Sequence, residues 1–324
     1  MKKPWTNSSG WLVLDDECRW FGIRCFAIDL GGGPGLQNAV AGIDLRNNTL
    51  DGAIPADLGL LTSLQSFNVS ANTLTGTLPA SIGQWTALQS LVMSGNSLTG
   101  TLPASIGQWT ALQYFNMSSN LLSGTLPTSI GQWTTLHSFD MHSNALSGTL
   151  PMSLGQWTTL QLFNMHSNRL SGTLPPLISQ WTALQFFGMD SNQLSGTLPA
   201  SIGQWTALQL FVTSNNSLTG PLPASIGQWT NLRYFLVDNN VLIGTLPALI
   251  GQWSALEYFD VNNNALIGTL PASMANWTRI VLIDIYHDNF TGTVPSAVCN
   301  AVNLTYLGYS SGLNCTCKQC KSFL

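Results

Sequence analysis

Charge is scarce in this chain. Asp, Glu, Lys and Arg together make up 7% of its 324 residues, and 10 basic against 14 acidic groups leave a formal charge of −4. No run of Lys or Arg could neutralise a series of phosphates, so nucleic acid is not an expected partner. No apolar run approaches the roughly 18 residues that a membrane helix needs, so no transmembrane segment is expected. The opening "MKKPWTNSSGW" has basic residues but no apolar stretch behind them, so the sequence as it stands shows no export signal. With so few charges, the solvent-facing positions must be filled mainly by Ser, Thr, Asn, Gln and Gly.

Cysteine is missing from the whole middle of the chain. Cys18 and Cys25 stand near one end, and Cys299, Cys315, Cys317 and Cys320 near the other. An even number confined to the ends suits disulfides that close an elongated array, which implies an oxidising compartment. Free thiols in a reducing compartment are the alternative. The stretch "CTCKQC" offers sulfur ligands for zinc, but it lacks a second ligand pair and a nearby His.

What fills the middle is repetition. "GTLPASIGQWTALQ" begins at Gly76, returns at Gly100 and again at Gly196, and Trp85, Trp109, Trp133, Trp157, Trp181, Trp205, Trp229, Trp253 and Trp277 stand 24 residues apart. Aligned on the glycine that runs from Gly52 to Gly292, the chain has eleven coils of 24 residues. A proline follows each of these glycines by three residues, from Pro55 to Pro295. An asparagine precedes each by four, from Asn48 to Asn264, and Asp288 takes that place in the last coil. One array whose core grows with each coil accounts for the length better than two unrelated domains.

A coil reads L-x-x-L-x-M-x-x-N-x-L-x-G-T-L-P-x-x-I-G-x-W-x-x. Alternation in its first part predicts a short strand, with Leu91 and Met93, or Phe115 and Met117, pointing inward and their neighbours outward. The asparagine side chain is expected to bond to backbone where the chain turns. This pattern resembles the leucine-rich repeat. Its L-x-G-x-[IL]-P signature and 24-residue period resemble the plant-type extracellular subfamily of that family. Trp11, Cys18, Trp20, Gly22 and Cys25, in "WLVLDDECRWFGIRC", are similar to that subfamily's N-terminal cap. The "ASIGQWTALQ" wording is also similar to repeats of kinetoplastid surface antigens related to promastigote surface antigen.

The resemblance implies an α/β solenoid, a right-handed leucine-rich-repeat superhelix with a parallel β-sheet on its concave face and a mostly irregular or 3-10 convex side. It implies a cysteine cap over residues 1–39, repeats over 40–298 and a second cap over 299–324. The tryptophan position is filled by Leu61 in the first coil, where this subfamily places an inward leucine. The tryptophans are therefore expected to point into the core. A buried indole removes about 150–250 Å² from water, worth at most about 4–6 kcal/mol before entropy is subtracted.

A binding site should lie where the coils differ from one another. The outward strand position six before the asparagine runs Ser66, Ser90, Tyr114, Ser138, Leu162, Phe186, Leu210, Tyr234, Tyr258, Leu282, Tyr306. From Leu162 onward this is an apolar and aromatic stripe, about 25–30 Å long at the spacing of parallel strands. Exposed patches of that size usually mark a binding surface, although aromatic ladders can also serve only to stabilise a sheet. Beside it lie Leu236, Asp260 and Asp284, with Tyr286 close by. Tyr, apolar and acidic groups together suit a protein or peptide ligand with apolar anchors and some basic character. A glycan is a further candidate ligand.

His142, His166 and Asp190 occupy one position of three successive coils, with Asp140 near, and their nitrogen and oxygen atoms are of the kind zinc takes. Solvated histidines beside carboxylates are the commoner outcome. No serine or cysteine nucleophile in a strained elbow accompanies them, so no catalytic residue, cofactor or enzyme activity is expected. Rows of Thr or Ser flank each repeat glycine and raise ice binding as another class, but Pro221, Ile243 and Ile267 interrupt them. Glycosylation sequons occur at Asn7, Asn47, Asn68, Asn116, Asn215, Asn276, Asn289, Asn303 and Asn314. The expected function is an extracellular or cell-surface recognition or adhesion module, with a structural surface-coat antigen and, behind it, a metal-binding or enzymatic protein as the alternatives.

Overall fold

The computed structural model describes residues 6–7, 17–28 and 37–322, so Trp11 of the N-terminal motif lies outside the described residues. The chain divides into two compact units, Met1–Ser147 and Gly148–Leu324. Both are built from the 24-residue coil.

The coil beginning at Leu210 shows why the sequence folds as it does. Strand Leu210–Val212 buries its central Phe211 and leaves both neighbours half-exposed, as the two-residue period of a strand requires. Asn215 then takes a left-handed conformation at φ 54°, which reverses the chain. Next comes Asn216, whose amide donates to the carbonyls of Met189, Thr213 and Ser214 at 2.9, 3.1 and 3.3 Å, while its Oδ1 accepts from Leu194 N–H at 2.8 Å. One side chain thereby satisfies backbone groups of two coils that the turn would leave unpaired.

A second strand, Ser217–Gly220, follows and ends on Gly220 at φ 74°. A Cβ there would stand 2.6 Å from the Thr197 methyl, so both the conformation and the close approach of the preceding coil require glycine. Pro223 presets an extended entry at φ −69° into the 3-10 helix Ala224–Gln228. Ile226 N–H bonds Pro223 O at 3.1 Å, and Trp229 N–H bonds Ile226 O at 3.0 Å.

The tryptophans point inward, as their alignment with a leucine predicts, and each of the nine from Trp85 to Trp277 is at most 1% exposed. They are more than large leucines. Trp205, Trp229 and Trp253 donate their indole N–H groups to the carbonyls of Ile178, Ile202 and Ile226 in the preceding coil at 2.9, 3.0 and 2.9 Å. Successive rings stack, with Trp205 and Trp229 6.3 Å apart, and Trp229 also packs on Phe211 of its coil's strand at 5.0 Å. A bond that satisfies a buried indole N–H is what makes tryptophan tolerable at this depth.

In the first unit the main sheet runs from Gln37–Asp44 through Ser66–Asn68, Ser90–Val92 and Tyr114–Asn116 to Ser138–Asp140, all parallel. Its edge is covered by Ile23–Ile28, which pairs antiparallel with Gln37–Asp44. In the second unit the main sheet runs from Leu162–Asn164 through six more parallel strands to Cys320–Ser322. Each unit also has a second ladder of the strands that lead into the repeat glycine, such as Ser97–Gly100 and Ser217–Gly220.

The cysteines form three disulfides, Cys18–Cys25, Cys299–Cys317 and Cys315–Cys320. The first brackets Gly22, where a Cβ would fall 2.2 Å from Asp44 O, so this loop lies directly on the first parallel strand. The second ties a short α-helix, Ser296–Cys299, to the terminal segment, and the third closes a loop within that segment. Among the described residues no helix is long and apolar enough to cross a membrane.

Candidate recognition face

Strand register in the second unit brings the sequence-selected residues onto one face of one sheet. Leu162, Phe186, Leu210, Tyr234, Tyr258, Leu282 and Tyr306 pair successively and form one row. Asn164, Gly188, Val212, Leu236, Asp260, Asp284 and Gly308 pair in the same way and form the second. The residues between the rows, such as Phe211 and Phe235, are fully buried. The first row is half-exposed throughout.

Partial burial of that row has local causes. Phe186 lies across Gly188, where a Cβ would come 2.8 Å from the Phe186 ring. Tyr306 lies in the same way over Gly308, beside Asp284 Oδ1, each 2.6 Å from where a Cβ would be. Tyr234 and Tyr258 stack with centroids 5.0 Å apart and planes 13° off parallel. Phe186, Leu210 and Tyr234, with Gln185, Gln209 and Arg233, line a groove of about 220 Å³.

Arg233 and Glu257 are functional candidates that the outward-strand pattern missed. They stand one place before Tyr234 and Tyr258. The Arg233 Nε and Nη2 groups donate to the two Glu257 oxygens at 3.0 and 2.9 Å. Tyr234 O–H also donates to Glu257 at 3.4 Å, and the guanidinium lies 5.6 Å from the Tyr234 ring centre. The signal was available, because opposite charges 24 residues apart must meet in adjacent coils. Tyr114, which belongs to the same outward column but precedes the stripe that starts at Leu162, lies in the first unit, is 52% exposed and stacks on His137 at 6.2 Å.

The acidic end of the face is electrostatically unusual. Burial pushes the Asp260 carboxyl up to about 7, against the Asn262 backbone N–H bond and with the aid of neighbouring Asp238 and Asp284. Asp284 is raised for the same leading reason, against a bond from Tyr286 N–H. The Tyr306 hydroxyl is raised by burial and by both carboxylates. Tyr286 sits just past its strand, half-exposed, with its ring 3.8 Å from that of His287. A cationic group arriving here would meet carboxylates whose ionisation it favours.

His142 belongs to the first unit, where its Nδ1 lies 2.6 Å from Asp140 Oδ1. His166 and Asp190 belong to the second, with His166 Nδ1 3.0 Å from Ser167 Oγ. Among the described residues, the one group of three or more potential ligands close enough to share an ion is Cys315, Cys317 and Cys320, whose sulfurs are engaged in disulfides. The threonine rows have a packing role, since methyls such as that of Thr197 cover the glycine of the next coil.

Residues 63–85, 87–109, 111–133 and 159–181 each match the family described as Leucine Rich Repeat. Four of the coils are thus matched as leucine-rich repeats. Solved leucine-rich-repeat structures reproduce the fold. One is the plant peptide hormone receptor RGFR1 in complex with RGF2, at 31% identity and a TM-score of 0.78 over 85% of this chain and 45% of that one. A TDR receptor is similar at 27% identity and 0.79, over 86% and 47%. The ectodomain of the Arabidopsis receptor kinase HAESA, in complex with an N-terminal extended IDA peptide hormone ligand, is similar at 29% and 0.77, over 92% and 49%. The chain thus spans about half the length of these receptor chains. No curated protein sequence matches it.

Proposed function

We propose that this leucine-rich-repeat chain is an extracellular recognition module that binds a peptide, or an extended segment of a protein, along the main-sheet face of the second unit. The observation that carries the reading is the half-exposed row Phe186, Leu210, Tyr234, Tyr258, running beside a shallow groove toward the acidic Asp260 and Asp284. Aromatic anchors supply contact area at low entropy cost, and a terminal acidic pair selects a basic group. Similar solved structures are those of a plant peptide hormone receptor with RGF2 and of HAESA with a peptide hormone, which supports a peptide ligand. Disulfides at both ends suit an oxidising, extracellular setting. In this reading residues 1–39 and 299–324 cap the array, and the chain has no catalytic role.

A second reading has its own observation. The Tyr234–Tyr258 stack and the seating of Phe186 on Gly188 are what a ladder that only stabilises the sheet would show. That reading makes the chain a surface-coat component with no specific soluble ligand. Selection of peptides from a random library on the immobilised chain separates the two. Enrichment of peptides with aromatic or aliphatic anchors and a Lys or Arg, lost on Tyr258→Ser, supports recognition. Absence of any enriched sequence supports the coat.

A further inference from the structure

Ten coils carry asparagine at the turn into the second ladder, and the eleventh carries Asp288. Asn264 shows the normal arrangement. Its Oδ1 accepts from Leu242 N–H at 2.9 Å, and its amide donates to the carbonyls of Val237, Val261 and Asn262 at 3.0, 2.8 and 3.4 Å. Asp288 reproduces only the accepting half, with Leu266 N–H donating to its Oδ1 at 2.8 Å. Its Oδ2 stands in the place of the amide, buried and without a partner, in a residue only 5% exposed.

Moving the Asn264 partners on by one coil places the carbonyls of Val261, Ile285 and Tyr286 around that oxygen. Carbonyl oxygens accept and cannot donate, so an ionised carboxylate would set lone pairs against lone pairs in a buried site. A carboxylic acid O–H removes the conflict.

We propose that Asp288 is held in the folded chain as a neutral carboxylic acid whose Oδ2–H takes over the donation made elsewhere by the asparagine amide. Its ionisation at alkaline pH then loosens the last full coil and the terminal segment that follows it. The charged groups around it agree with this. From the preceding strands it faces Asp260 and Asp284, and a second or third negative charge there disfavours its own. On its own turn is His287, whose Nδ1 lies 2.6 Å from Asn263 Oδ1. On the terminal coil the facing residues Ser310, Ser311 and Gly312 carry no charge, and Ser310 Oγ is likewise buried without a partner. Tyr306, Tyr309, Lys318 and, on the final strand, Lys321 are the other ionisable side chains described in that segment.

Burial, the leading cause, raises the Asp288 carboxyl from the ordinary 3.8 to about 7, against the Leu266 N–H bond. The folded value lies above the unfolded one. The stabilisation is therefore complete below about pH 4, declines above it, and is lost as pH rises through about 7. Opening of the C-terminal coils should increase by about a hundredfold between pH 5 and pH 8.5 from this group alone.

Hydrogen exchange of the full chain, corrected for intrinsic rates, reads that opening at the Leu266 amide, with Asp288→Asn and Asp260→Asn compared. The proposal expects protection at Leu266 to fall steeply with pH in the parent and in Asp260→Asn. In Asp288→Asn it should be greater at pH 8.5 and lose the part of the slope that Asp288 carries, leaving that of Asp260. An unchanged slope in Asp288→Asn overturns it. So does added calcium restoring protection at pH 8.5 in the parent alone, because a metal ion would then be filling the proton's place. Should Asp288→Asn not fold, carbon NMR titration of the parent's Asp carboxyls decides. A carboxyl that titrates near 7 and whose shift is coupled to the Leu266 amide supports the assignment, and only ordinary values refute it.

Discussion

Trp229 donates its indole N–H to the carbonyl oxygen of Ile202, one coil earlier, at 3.0 Å. The same pairing recurs between Trp253 and Ile226. Each tryptophan therefore joins neighbouring coils by a directional bond as well as by stacked surface. Trp229→Leu keeps the residue type found at Leu61 but removes the bond and leaves a void. It should destabilise the chain by about 3–5 kcal/mol in urea unfolding. Trp229→Phe should cost less, about 1–3 kcal/mol.

Thr213 occupies an inward position that Met189, Val237 and Val261 fill in neighbouring coils, and its Oγ1 is buried without a partner. Thr213→Val keeps the shape and removes the unpaired hydroxyl. Thermal unfolding should show a gain of about 1 kcal/mol. A loss of stability would mean that the hydroxyl is satisfied in solution.

Asp260 titrates near 7 because it is buried beside other acids. Its folded value is raised, so its contribution to stability is present at low pH and lost as pH rises through about 7. A bound basic peptide pairs with the ionised form. Its affinity should therefore rise from pH 5.5 to pH 8 and release protons in calorimetry at neutral pH. Asp260→Asn should weaken binding and flatten that pH dependence.

The sequons divide by structure. Asn68 and Asn116 are half-buried in main-sheet strands, where their Oδ1 atoms accept from the N–H and hydroxyl of Ser70 and Ser118. Asn47, Asn215, Asn276, Asn289, Asn303 and Asn314 are exposed. Glycopeptide mapping of chain secreted from a glycosylating host should find glycan on the exposed group and none on Asn68 or Asn116.

Period and alternation made the coil legible, because most coils repeat the same steric demands: an inward Leu or Phe, a turn asparagine, a glycine under a threonine methyl. The face was legible for the same reason, since parallel register converts a column of the alignment into a row in space. Partners were not. Nothing in the tryptophan spacing says that the indole N–H reaches Ile202. The Arg233–Glu257 pair escaped because it precedes the strand whose alternation was being followed. Asp288 was visible as a departure from asparagine, but its cost appears only when the carbonyls around the amide are known.

The row Phe186, Tyr234, Tyr258 is the centre of the functional reading, and one comparison tests it. Affinity for a library-selected peptide is measured by calorimetry for the parent and for Phe186→Ser, Tyr234→Ser, Tyr258→Ser combined, alongside thermal unfolding of both. The account predicts that affinity falls at least about a hundredfold, as loss of anchor residues does, while the unfolding profile stays close to the parent's. Unchanged affinity, or collapse of the fold with the stacked rings, would contradict it and leave the row as a stabilising ladder.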